Sequence, residues 1–251
     1  MLYGLKLKKR LYMSKFKKKL KDFIKLNVFN FYKKSYAQCG EDMMIDAALR
    51  GLNINKGTYL DIGAHHPYYF SNTQFLYEKG FSGVNCEPNP YLHKMFESKR
   101  KRDTNLNIGI SIYSEDVELD FYSMNPPTLS TFVKDEAERY AGMKAHEIEE
   151  ILKIQTMNIN KVIETYYKEC PNFISIDVEG LDCDILRTFD FTKYSPEVFC
   201  IEVAEYNING TYQRVEEIDI IMKDNGYFIY ADMYQNAIYV HKNKWDKRIS
   251  K

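Results

Sequence analysis

Two acidic residues, each near the end of an apolar segment, are the side chains best placed to bind a nucleoside. Asp61 lies in residues 57–64, whose apolar side chains predict a buried parallel strand, and Gly63 permits a tight turn after it. Glu87 ends a second apolar segment within residues 84–90. An acid in that position accepts hydrogen bonds from the two hydroxyls of a ribose. The pair therefore predicts an adenosine-binding site.

The residues after Asp61 narrow the choice of ligand. A dinucleotide-binding loop carries further glycines, so that its backbone can approach a pyrophosphate. Here Gly63 and Ala64 are followed by His65 and His66. Such a loop favours a ligand that contains adenosine but no pyrophosphate, and S-adenosylmethionine fits that description.

Methyl transfer from a sulfonium to a hydroxyl needs a positioned acceptor oxygen and a base that removes its proton. His66 follows the predicted cofactor loop directly, and the usual pKa of histidine, about 6.5, suits proton transfer near neutral pH. We therefore predict His66 as a catalytic base, whereas His65 is expected to point away from the site. The alternative is that the two histidines only shape the loop through hydrogen bonds.

Asp177 and Glu179 follow the apolar residues 173–176, which places both at the carboxyl end of a further predicted strand. Asp177 is predicted as a second candidate base and as a ligand of the cofactor's amine. Glu179 is predicted to bind the acceptor, and capping of the next helix is its alternative role. We predict no metal requirement. The alternative is a divalent cation that lowers the pKa of the acceptor hydroxyl, held by Asp177, Glu179 and Glu202.

The segment after the histidines has a composition suited to a sugar, with short hydroxyls, an amide and aromatic faces. Its predicted acceptor-binding residues are Tyr68, Ser71, Asn72 and Thr73. Ser71 is equally well suited to be the N-cap of a helix. Arg102 is predicted to bind a phosphate on a nucleotide-linked or phosphorylated acceptor, because a guanidinium matches phosphate geometry. An internal pair with Asp103 is the alternative.

Alternating apolar and amphipathic segments indicate the elements that position these residues. The candidate strands are residues 58–62, 83–87, 106–110, 172–177, 197–203, 226–231 and 236–241. The candidate helices are one that ends near residue 52 and those near residues 71–79, 90–98, 181–188 and 214–225. This alternation predicts a doubly wound parallel sheet. Only a few residues separate the last two strands, so these two must form an antiparallel hairpin.

The alternation of strands and helices breaks between residues 111 and 156. Residues 117–122 alternate like a half-buried strand, residues 125–127 end it, and the acidic residues 135–152 are predicted to be helical. An insertion at this point lies beside the carboxyl ends of the central strands, where open α/β sheets bind ligands. We therefore predict a cap on the substrate side.

Charge is distributed unevenly along the chain. Its 251 residues, 45% of them hydrophobic, suffice for one large α/β domain, which we place at residues 35–251. Residues 1–34 hold 12 lysines or arginines and one acid, which leaves 23 bases and 34 acids elsewhere. This excess of acid argues against a general nucleic-acid-binding surface on the main domain.

The basic N-terminal segment is predicted to form an amphipathic helix, because residues 5–33 contain no proline or glycine and carry apolar residues at helical spacing. The simpler interpretation is a docking helix or a solvated tail. The alternative is reversible attachment to anionic lipid or to an acidic partner.

The cysteines and the hydropathy of the chain predict a cytoplasmic protein, at the inner face of the membrane if the N-terminal segment binds lipid. The five cysteines form no close pair in sequence, as expected of reduced thiols. No segment approaches the ~18 apolar residues of a membrane span. The N-terminus lacks the continuous apolar block of a secretory signal.

Six motifs, all within residues 36–180, resemble those of the FkbM family of S-adenosylmethionine-dependent methyltransferases. They are residues 36–42 (YAQCGED), 59–67 (YLDIGAHHP), 70–73 (FSNT), 85–90 (NCEPNP), 102–111 (in which RD is followed by NLNIGIS) and 175–180 (SIDVEG). The resemblance covers roughly residues 35–203. It implies a class I methyltransferase fold, with a seven-stranded sheet whose last hairpin inserts one antiparallel strand.

The resemblance also implies the roles of individual residues. Asp61, Gly63 and Ala64 would line the methionine end of the cofactor, and Glu87 would bind the ribose. The stretch from Asn107 to Ile110 would line the adenine. The early motif would help to close the cofactor pocket through Gln38 and Glu41.

The family resemblance implies O-methylation of hydroxyls on sugars or polyketide-type small molecules, and bacterial members often accompany genes for capsule. We therefore predict methylation of a sugar or sugar-nucleotide hydroxyl, in the biosynthesis of a capsular polysaccharide. One alternative is methylation of a phosphate-type oxygen or of a nitrogen in a glycan. The other is a non-catalytic cofactor-binding module that docks to a membrane or to a glycan-assembly complex.

Overall fold

The structure is a computed structural model that describes residues 17–19, 21, 34–143, 146–206 and 211–248. The chain divides into two units, Met1–Ser35 and Tyr36–Lys251, and the fold described below is that of the second. The predicted helix over residues 5–33 lies outside the described residues, apart from four exposed helical lysines at positions 17–19 and 21. Both interpretations of this segment, a docking helix or solvated tail and attachment to lipid or an acidic partner, therefore stay predictions. In the described parts of the chain, no helix combines the length and the apolar character that a membrane span requires.

The second unit contains twelve strands and eight α-helices within its described residues. The strands are β1 (Thr58–Ile62), β2 (Ser82–Cys86), β3 (Thr104–Leu106), β4 (Gly109–Ser111), β5 (Val117–Asn125), β6 (Glu147–Asn158), β7 (Phe173–Ile176), β8 (Val198–Glu202), β9 (Ala204–Tyr206), β10 (Tyr212–Arg214), β11 (Tyr227–Asp232) and β12 (Asn236–His241). The helices are α1 (Glu41–Gly51), α2 (Gln74–Glu78), α3 (Pro90–Lys99), α4 (Lys134–Ala141), α5 (Ile159–Tyr166), α6 (Asp182–Thr188), α7 (Glu216–Asp224) and α8 (Lys242–Lys247), with a 3₁₀ turn at Pro127–Leu129.

Seven of the strands form the central sheet, in the order β11-β12-β8-β7-β1-β2-β3. The five strands from β8 to β3 are parallel, whereas β12 runs antiparallel to both β8 and β11. The link between β11 and β12 is too short for a crossover, which forces the hairpin. The structure thus confirms the predicted seven-stranded class I methyltransferase sheet with an antiparallel last hairpin.

The central strands are apolar on both sides because helices cover both faces of the sheet. Leu60 and Ile62 of β1 belong to a core shared with α5, α6 and α7, whereas Tyr59 belongs to a second core shared with α1 and α2. Successive residues of a strand point to opposite faces, so one strand contributes to both cores. Because both faces of the sheet are buried, the polar residues at the strand ends are the ones available to form a ligand-binding site.

The insertion between β4 and α5 differs from the prediction. Helix α4 covers only Lys134–Ala141, and residues 147–158 form the long strand β6 instead of continuing a helix over residues 135–152. Strand β6 pairs antiparallel with β5 and parallel with β4, which gives a separate three-stranded sheet. Glu147, Glu149 and Glu150 all lie in the first half of β6 and are exposed, whereas burial along its second half alternates with a period of two, as in a half-buried strand.

Two further boundaries differ from those predicted. Residues 106–110 do not form one strand: β3 ends at Leu106 in the central sheet, and β4 starts at Gly109 in the sheet of the insertion. Helix α5 was missed by the periodicity argument, and it begins where the Asn158 side chain accepts a hydrogen bond from the backbone N–H of Asn160. The chain therefore leaves the central sheet after β3 and returns to it at β7.

Candidate functional site

A cleft of about 900 Å³, partly open to solvent, lies at the carboxyl edge of the central sheet. Residues that follow β1, β2 and β7 line one side, and residues of the insertion line the other. Four acids line this cleft, namely Asp61, Glu87, Asp177 and Glu179. Among the described residues that line it there is no lysine or arginine. When these carboxyls are ionised, the cleft has a negative potential suited to a cationic ligand, and such a ligand would in turn favour their ionised forms.

The turn after β1 requires a glycine. Gly63 has a φ of +72°, and a Cβ at this position would lie 1.8 Å from the carbonyl oxygen of Asp177. The backbone N–H groups of Gly63 and Ala64 both donate to the carbonyl oxygen of Cys86, at 3.1 Å. The ends of β1, β2 and β7 are thereby packed tightly together, and their side chains converge on the cleft.

Asp61 is almost fully buried at the end of β1, with 3% of its surface exposed. Its Oδ2 accepts a hydrogen bond from the hydroxyl of Thr73 at 2.6 Å. Burial raises the pKa of the Asp61 carboxyl, whereas the Thr73 hydrogen bond and the charge of Arg100 oppose this rise. Asp61 therefore lines the cleft, and the hydrogen bond from Thr73, which lies outside the lining, fixes its orientation.

Glu87 is held by the backbone on both of its carboxyl oxygens. Oε2 accepts from the N–H of His65 at 2.7 Å, and Oε1 accepts from the N–H of Asn89 at 2.7 Å. Burial raises the pKa of Glu87 to about 8, although both hydrogen bonds counteract this. Asn107 donates to the carbonyl oxygens of Glu87 and Pro88, so its side chain fixes this backbone and does not line the cleft, which Ile110 does.

Asp177 and Glu179 lie at the end of β7 on the same side of the cleft. Burial, followed by the charge of Asp182, raises the pKa of Asp177 to about 7. Burial and the nearby Asp177 raise the pKa of Glu179, whose carboxylate accepts from the Tyr140 hydroxyl at 3.0 Å. The carboxyl oxygens of Asp177, Glu179 and Glu202 lie within 4.8 Å of one another. The three acids of the alternative metal hypothesis are thus neighbours, an arrangement suited to one shared proton or to a cation.

Backbone strain is concentrated at this cleft. Five non-glycine residues of the described chain have positive φ angles, and three of them line the cleft, namely His65 (53°), Phe70 (54°) and Glu179 (54°). Such conformations cost about 1–3 kcal/mol each and occur preferentially where function requires them. Their position independently supports this cleft as the functional site.

The two histidines occupy opposite positions to those predicted. The ring of His66 lies outside the cleft lining, stacked on Tyr69 at 4.0 Å, and its Nδ1 accepts from the backbone N–H groups of Tyr68 (3.1 Å) and Tyr69 (3.3 Å). His65 lines the cleft, and its buried Nε2 has no hydrogen-bond partner within the described chain. Burial lowers the pKa of His65 to about 4, so this imidazole is neutral at pH 7. The geometry of His66 is that of the loop-shaping alternative.

The predicted acceptor-binding residues separate into different environments. Asn72 lines the cleft and donates to the hydroxyl of Ser175 at 3.1 Å. Ser71 is buried and accepts from the backbone N–H of Gln74 at 3.1 Å, as a residue at the start of helix α2 does. Thr73 faces Asp61, and Tyr68 is exposed outside the lining.

Arg102 does not reach the cleft. Its guanidinium donates to the carbonyl oxygens of Tyr77 and Phe81 and lies 3.9 Å from the centre of the Tyr77 ring. The arginine that pairs with Asp103 is Arg100, at 3.2 Å. The structure thus assigns the internal ion pair to the neighbouring arginine, and it removes Arg102 from the candidate phosphate ligands of this cleft.

The motif at residues 36–42 connects the cleft to the last hairpin of the sheet, β11-β12. Gln38 lines the cleft, and its amide donates to Gln235 at 3.1 Å. Glu41 is buried behind it, where its carboxylate accepts from the N–H of Cys39 at 2.7 Å and from the Asn236 amide at 3.2 Å. Glu41 therefore anchors the segment, and Gln38 contributes the side chain that faces the ligand space.

The insertion contributes cleft residues that the sequence arguments did not name. They include Phe121, Pro127, Thr128, Ser130 and Phe132. Phe121 is buried and packs against Phe132, with ring centres 4.9 Å apart. The alternation in residues 117–122 did contain this signal, since it put Phe121 on the inner face of a strand. The wall opposite the carboxylates is therefore aromatic and hydroxyl-bearing.

The sheet order is that of the class I methyltransferase fold. The family model of the methyltransferase FkbM domain matches residues 61–229, which is about two thirds of the chain. The chain therefore belongs to the FkbM methyltransferase family. No curated protein gives a significant match.

Three solved structures are similar to this chain at low identity. Methyltransferase FkbM from Methylobacillus flagellatus KT is 14% identical with a TM-score of 0.42; the match covers 74% of this chain but only 44% of that protein. Precorrin-6y C5,15-methyltransferase from Geobacter metallireducens GS-15 is 9% identical with a TM-score of 0.39, over 84% and 91% of the two chains. The 1,6-didemethyltoxoflavin-N1-methyltransferase from Burkholderia thailandensis, crystallised with 1,6-didemethyltoxoflavin and S-adenosylhomocysteine, is 10% identical with a TM-score of 0.37, over 88% and 84%.

Proposed function

We propose that this chain is an S-adenosylmethionine-dependent O-methyltransferase whose acceptor is a neutral hydroxyl. The observation that carries this proposal is the cleft lined by four carboxylates and, in its described part, by no lysine or arginine. S-adenosylmethionine carries a sulfonium and an ammonium, and its nucleoside half is uncharged. Its charge is thus complementary to the cleft, whereas a pyrophosphate would be repelled.

The proposed contacts follow from the three strand ends. Glu87, fixed by two backbone N–H groups, accepts the ribose hydroxyls, and Asp61 binds the ammonium. Ile110 belongs to the apolar part of the lining and contacts the adenine, together with Pro88, Leu92 and Ile108. Gln38 closes this half of the cleft.

Asp177 is the proposed catalytic base. S-adenosylmethionine, when bound, supplies an electrophilic methyl group. Asp177 would hold the acceptor hydroxyl and take its proton as the methyl group is transferred. Its pKa of about 7 is suited to proton transfer near neutral pH. His66 is the weaker candidate, because its ring lies outside the lining and its Nδ1 already accepts two hydrogen bonds.

The charge of the cleft also bears on the acceptor. A phosphate next to the reacting hydroxyl would meet Asp177 and Glu179, and the described residues that line the cleft include no lysine or arginine to neutralise it, since Arg102 lies elsewhere. Phe121 and Phe132 instead offer apolar faces to a sugar ring or a polyketide-type chain. We therefore favour a neutral sugar or polyketide hydroxyl over a sugar nucleotide, and a role in capsular polysaccharide synthesis remains part of this proposal.

Turnover with matched acceptors tests the proposed function. The purified full chain is incubated with S-adenosylmethionine and with neutral sugars, polyols and macrolactones, each paired with its phosphorylated form. We expect release of S-adenosylhomocysteine and a methylated product with neutral acceptors only. Preferential methylation of the phosphorylated forms would contradict the acceptor class, and cofactor binding without turnover on any acceptor would favour the docking module.

A further inference from the structure

Arg100 is the largest fully buried side chain in the described part of the protein. Its Nη1 donates to Gln74 at 2.6 Å, its Nε donates to Asp103 at 3.2 Å, and its Nη2 donates to the hydroxyl oxygen of Thr73. Three aromatic rings surround the guanidinium, those of Tyr59 (5.7 Å), Tyr77 (4.7 Å) and Phe96 (5.8 Å). Every part of this cation is therefore held in one geometry, behind β1.

The hydrogen bonds fix the direction in which the Thr73 hydroxyl points. A guanidinium only donates, so Arg100 occupies a lone pair of the Thr73 oxygen. The single hydroxyl proton of Thr73 is then directed to Asp61, whose Oδ2 lies 2.6 Å away. Arg100, Thr73 and Asp61 thus form a one-way chain of donors that ends at a cleft carboxylate.

We infer that Arg100 is a positioning residue for cofactor binding, which acts through the hydroxyl of Thr73 to keep Asp61 oriented and ionised. This inference rests on the proposed function, because the ammonium of the cofactor is the ligand of Asp61. Arg100 itself touches neither cofactor nor acceptor. Arg100 instead acts on the cleft carboxylate Asp61 through the Thr73 hydroxyl group, which lies between them.

The charges around Asp61 explain why such support is needed. Burial and Asp103 raise the pKa of Asp61, while the Thr73 hydrogen bond, the Arg100 charge and a hydrogen bond from Ser175 lower it. The groups that face Asp61 are Arg100, the carboxyls of Glu87, Asp103 and Asp177, and the weak acids Tyr59, Cys86, Tyr167 and Cys200. Arg100 is the one cation in this set. Without its effect, the pKa of Asp61 would rise further, which would weaken the attraction of this carboxyl for the ammonium.

Two variants of Thr73 test the inference. Thr73→Val keeps the shape of the side chain but removes the hydroxyl, and Thr73→Ser keeps the hydroxyl as the matched control. Binding of S-adenosylhomocysteine, which retains the ammonium, is measured by calorimetry between about pH 5.5 and pH 8.5. We expect Thr73→Ser to bind within about threefold of wild type, and Thr73→Val to bind about 10- to 100-fold more weakly near pH 6.

The pH dependence separates this role from packing. Protonation of Asp61 increases as pH falls, so the defect of Thr73→Val should shrink as pH rises. Equal affinity of Thr73→Val and wild type at every pH, or a pH-independent defect shared by Thr73→Ser, would overturn the inference. If Thr73→Val fails to fold, Thr73→Ala takes its place under the same criteria. Wild-type protein that binds no S-adenosylhomocysteine would overturn the proposed function, and the inference with it.

Discussion

Two groups of buried charge lie on either side of the end of β1, and they are built on opposite principles. The cleft carboxylates are Asp61, Glu87, Asp177 and Glu179. The arginine cluster consists of Arg100 and Asp103, both with side chains 0% exposed, together with their polar partners. The first group has like charges, whereas the second pairs a cation with an anion. Thr73 connects the two.

The difference lies in how completely each charge is compensated. Asp103 accepts hydrogen bonds from the Tyr59 hydroxyl (2.5 Å), the Gly83 N–H (3.0 Å), the Asn85 amide (3.1 Å) and Arg100. By contrast, Glu87 and Asp177 have pKa values raised to about 8 and about 7, chiefly by burial. Removing one partner from a compensated buried cluster is strongly destabilising, whereas an uncompensated cluster already destabilises the fold until a ligand binds. The uncompensated group is thus the part of the molecule best suited to a cationic ligand.

The largest effect is expected from Asp177→Asn, which removes the proposed base but keeps the shape of its side chain. Turnover should fall by about 10²- to 10⁴-fold, the usual contribution of a general base. For wild type, kcat should rise with pH through about 7, because the Asp177 carboxyl must lose its proton to act. For Asp177→Asn, the residual rate should not follow this profile. Steady-state kinetics across pH measures both.

The matched control for this substitution is Asp135→Asn, which changes an exposed carboxyl at the start of α4. It should leave the rate and its pH profile unchanged. Affinity for S-adenosylhomocysteine, which lacks the sulfonium charge, should stay within about threefold in both variants. A rate for Asp177→Asn near that of wild type would remove Asp177 as the base.

The next largest effect is expected in the arginine cluster. Arg100→Met leaves Asp103 as a buried carboxylate without its cation, which should lower the free energy of unfolding by ~3–5 kcal/mol. Denaturant unfolding monitored by circular dichroism measures this loss. Arg102→Met changes the neighbouring surface arginine. Apart from the loss of its hydrogen bonds to backbone carbonyl groups, this substitution should lower the free energy of unfolding by less than about 1 kcal/mol. Equal losses in the two variants would mean that compensation within the cluster contributes nothing.

The sequence was sufficient for the sheet and for the acids at its carboxyl edge. Segments such as 58–62 and 173–176 are apolar because both faces of a parallel sheet are covered, and this pattern is local. The positions of Asp61, Glu87 and Asp177 follow from where such segments end. The helix predicted over residues 135–152 was wrong from residue 147 onward, where strand β6 begins, because exposed acids on a strand and on a helix give similar compositions.

The orientation and burial of individual side chains could not be predicted from such local patterns. His65 lines the cleft and His66 does not, the reverse of the prediction, and His65 adopts a left-handed backbone (φ 53°) that its residue type does not signal. Arg100 was overlooked because arginine is normally exposed. Its burial depends on partners more than 20 residues away, Thr73 and Gln74, which only the folded chain brings together.

The raised pKa values of the cleft carboxylates should make the stability of the unliganded protein depend on pH. The folded pKa of Asp177 is raised from 3.8 to about 7, so its contribution to stability is complete below about pH 4 and is lost as pH rises through 7. Glu87, raised from 4.5 to about 8, acts in the same direction. The unliganded protein should therefore become less stable from about pH 5 to pH 8.

Asp177→Asn sharpens this expectation, because it removes one of the two titrations. At pH 8 the variant should be more stable than wild type by ~1–3 kcal/mol, and near pH 4 the two should coincide. Urea unfolding of the unliganded proteins at both pH values measures the difference, and Asp135→Asn is again the control. A variant that is equally destabilised at both pH values would show that Asp177 is not strained by its surroundings.

The smallest effect is expected from His66→Ala, outside both groups. Because the His66 ring lies outside the cleft lining, turnover and affinity for S-adenosylhomocysteine should each change by less than about threefold. The variant loses the acceptor for the Tyr68 and Tyr69 N–H groups, which should lower the free energy of unfolding by ~1 kcal/mol. His66→Asn offers a carbonyl oxygen to the same backbone groups and should recover part of that stability. If His66→Ala instead lost about 100-fold in kcat with unchanged affinity, and His66→Asn did not recover it, the base would be this histidine and the cleft carboxylates would serve binding alone.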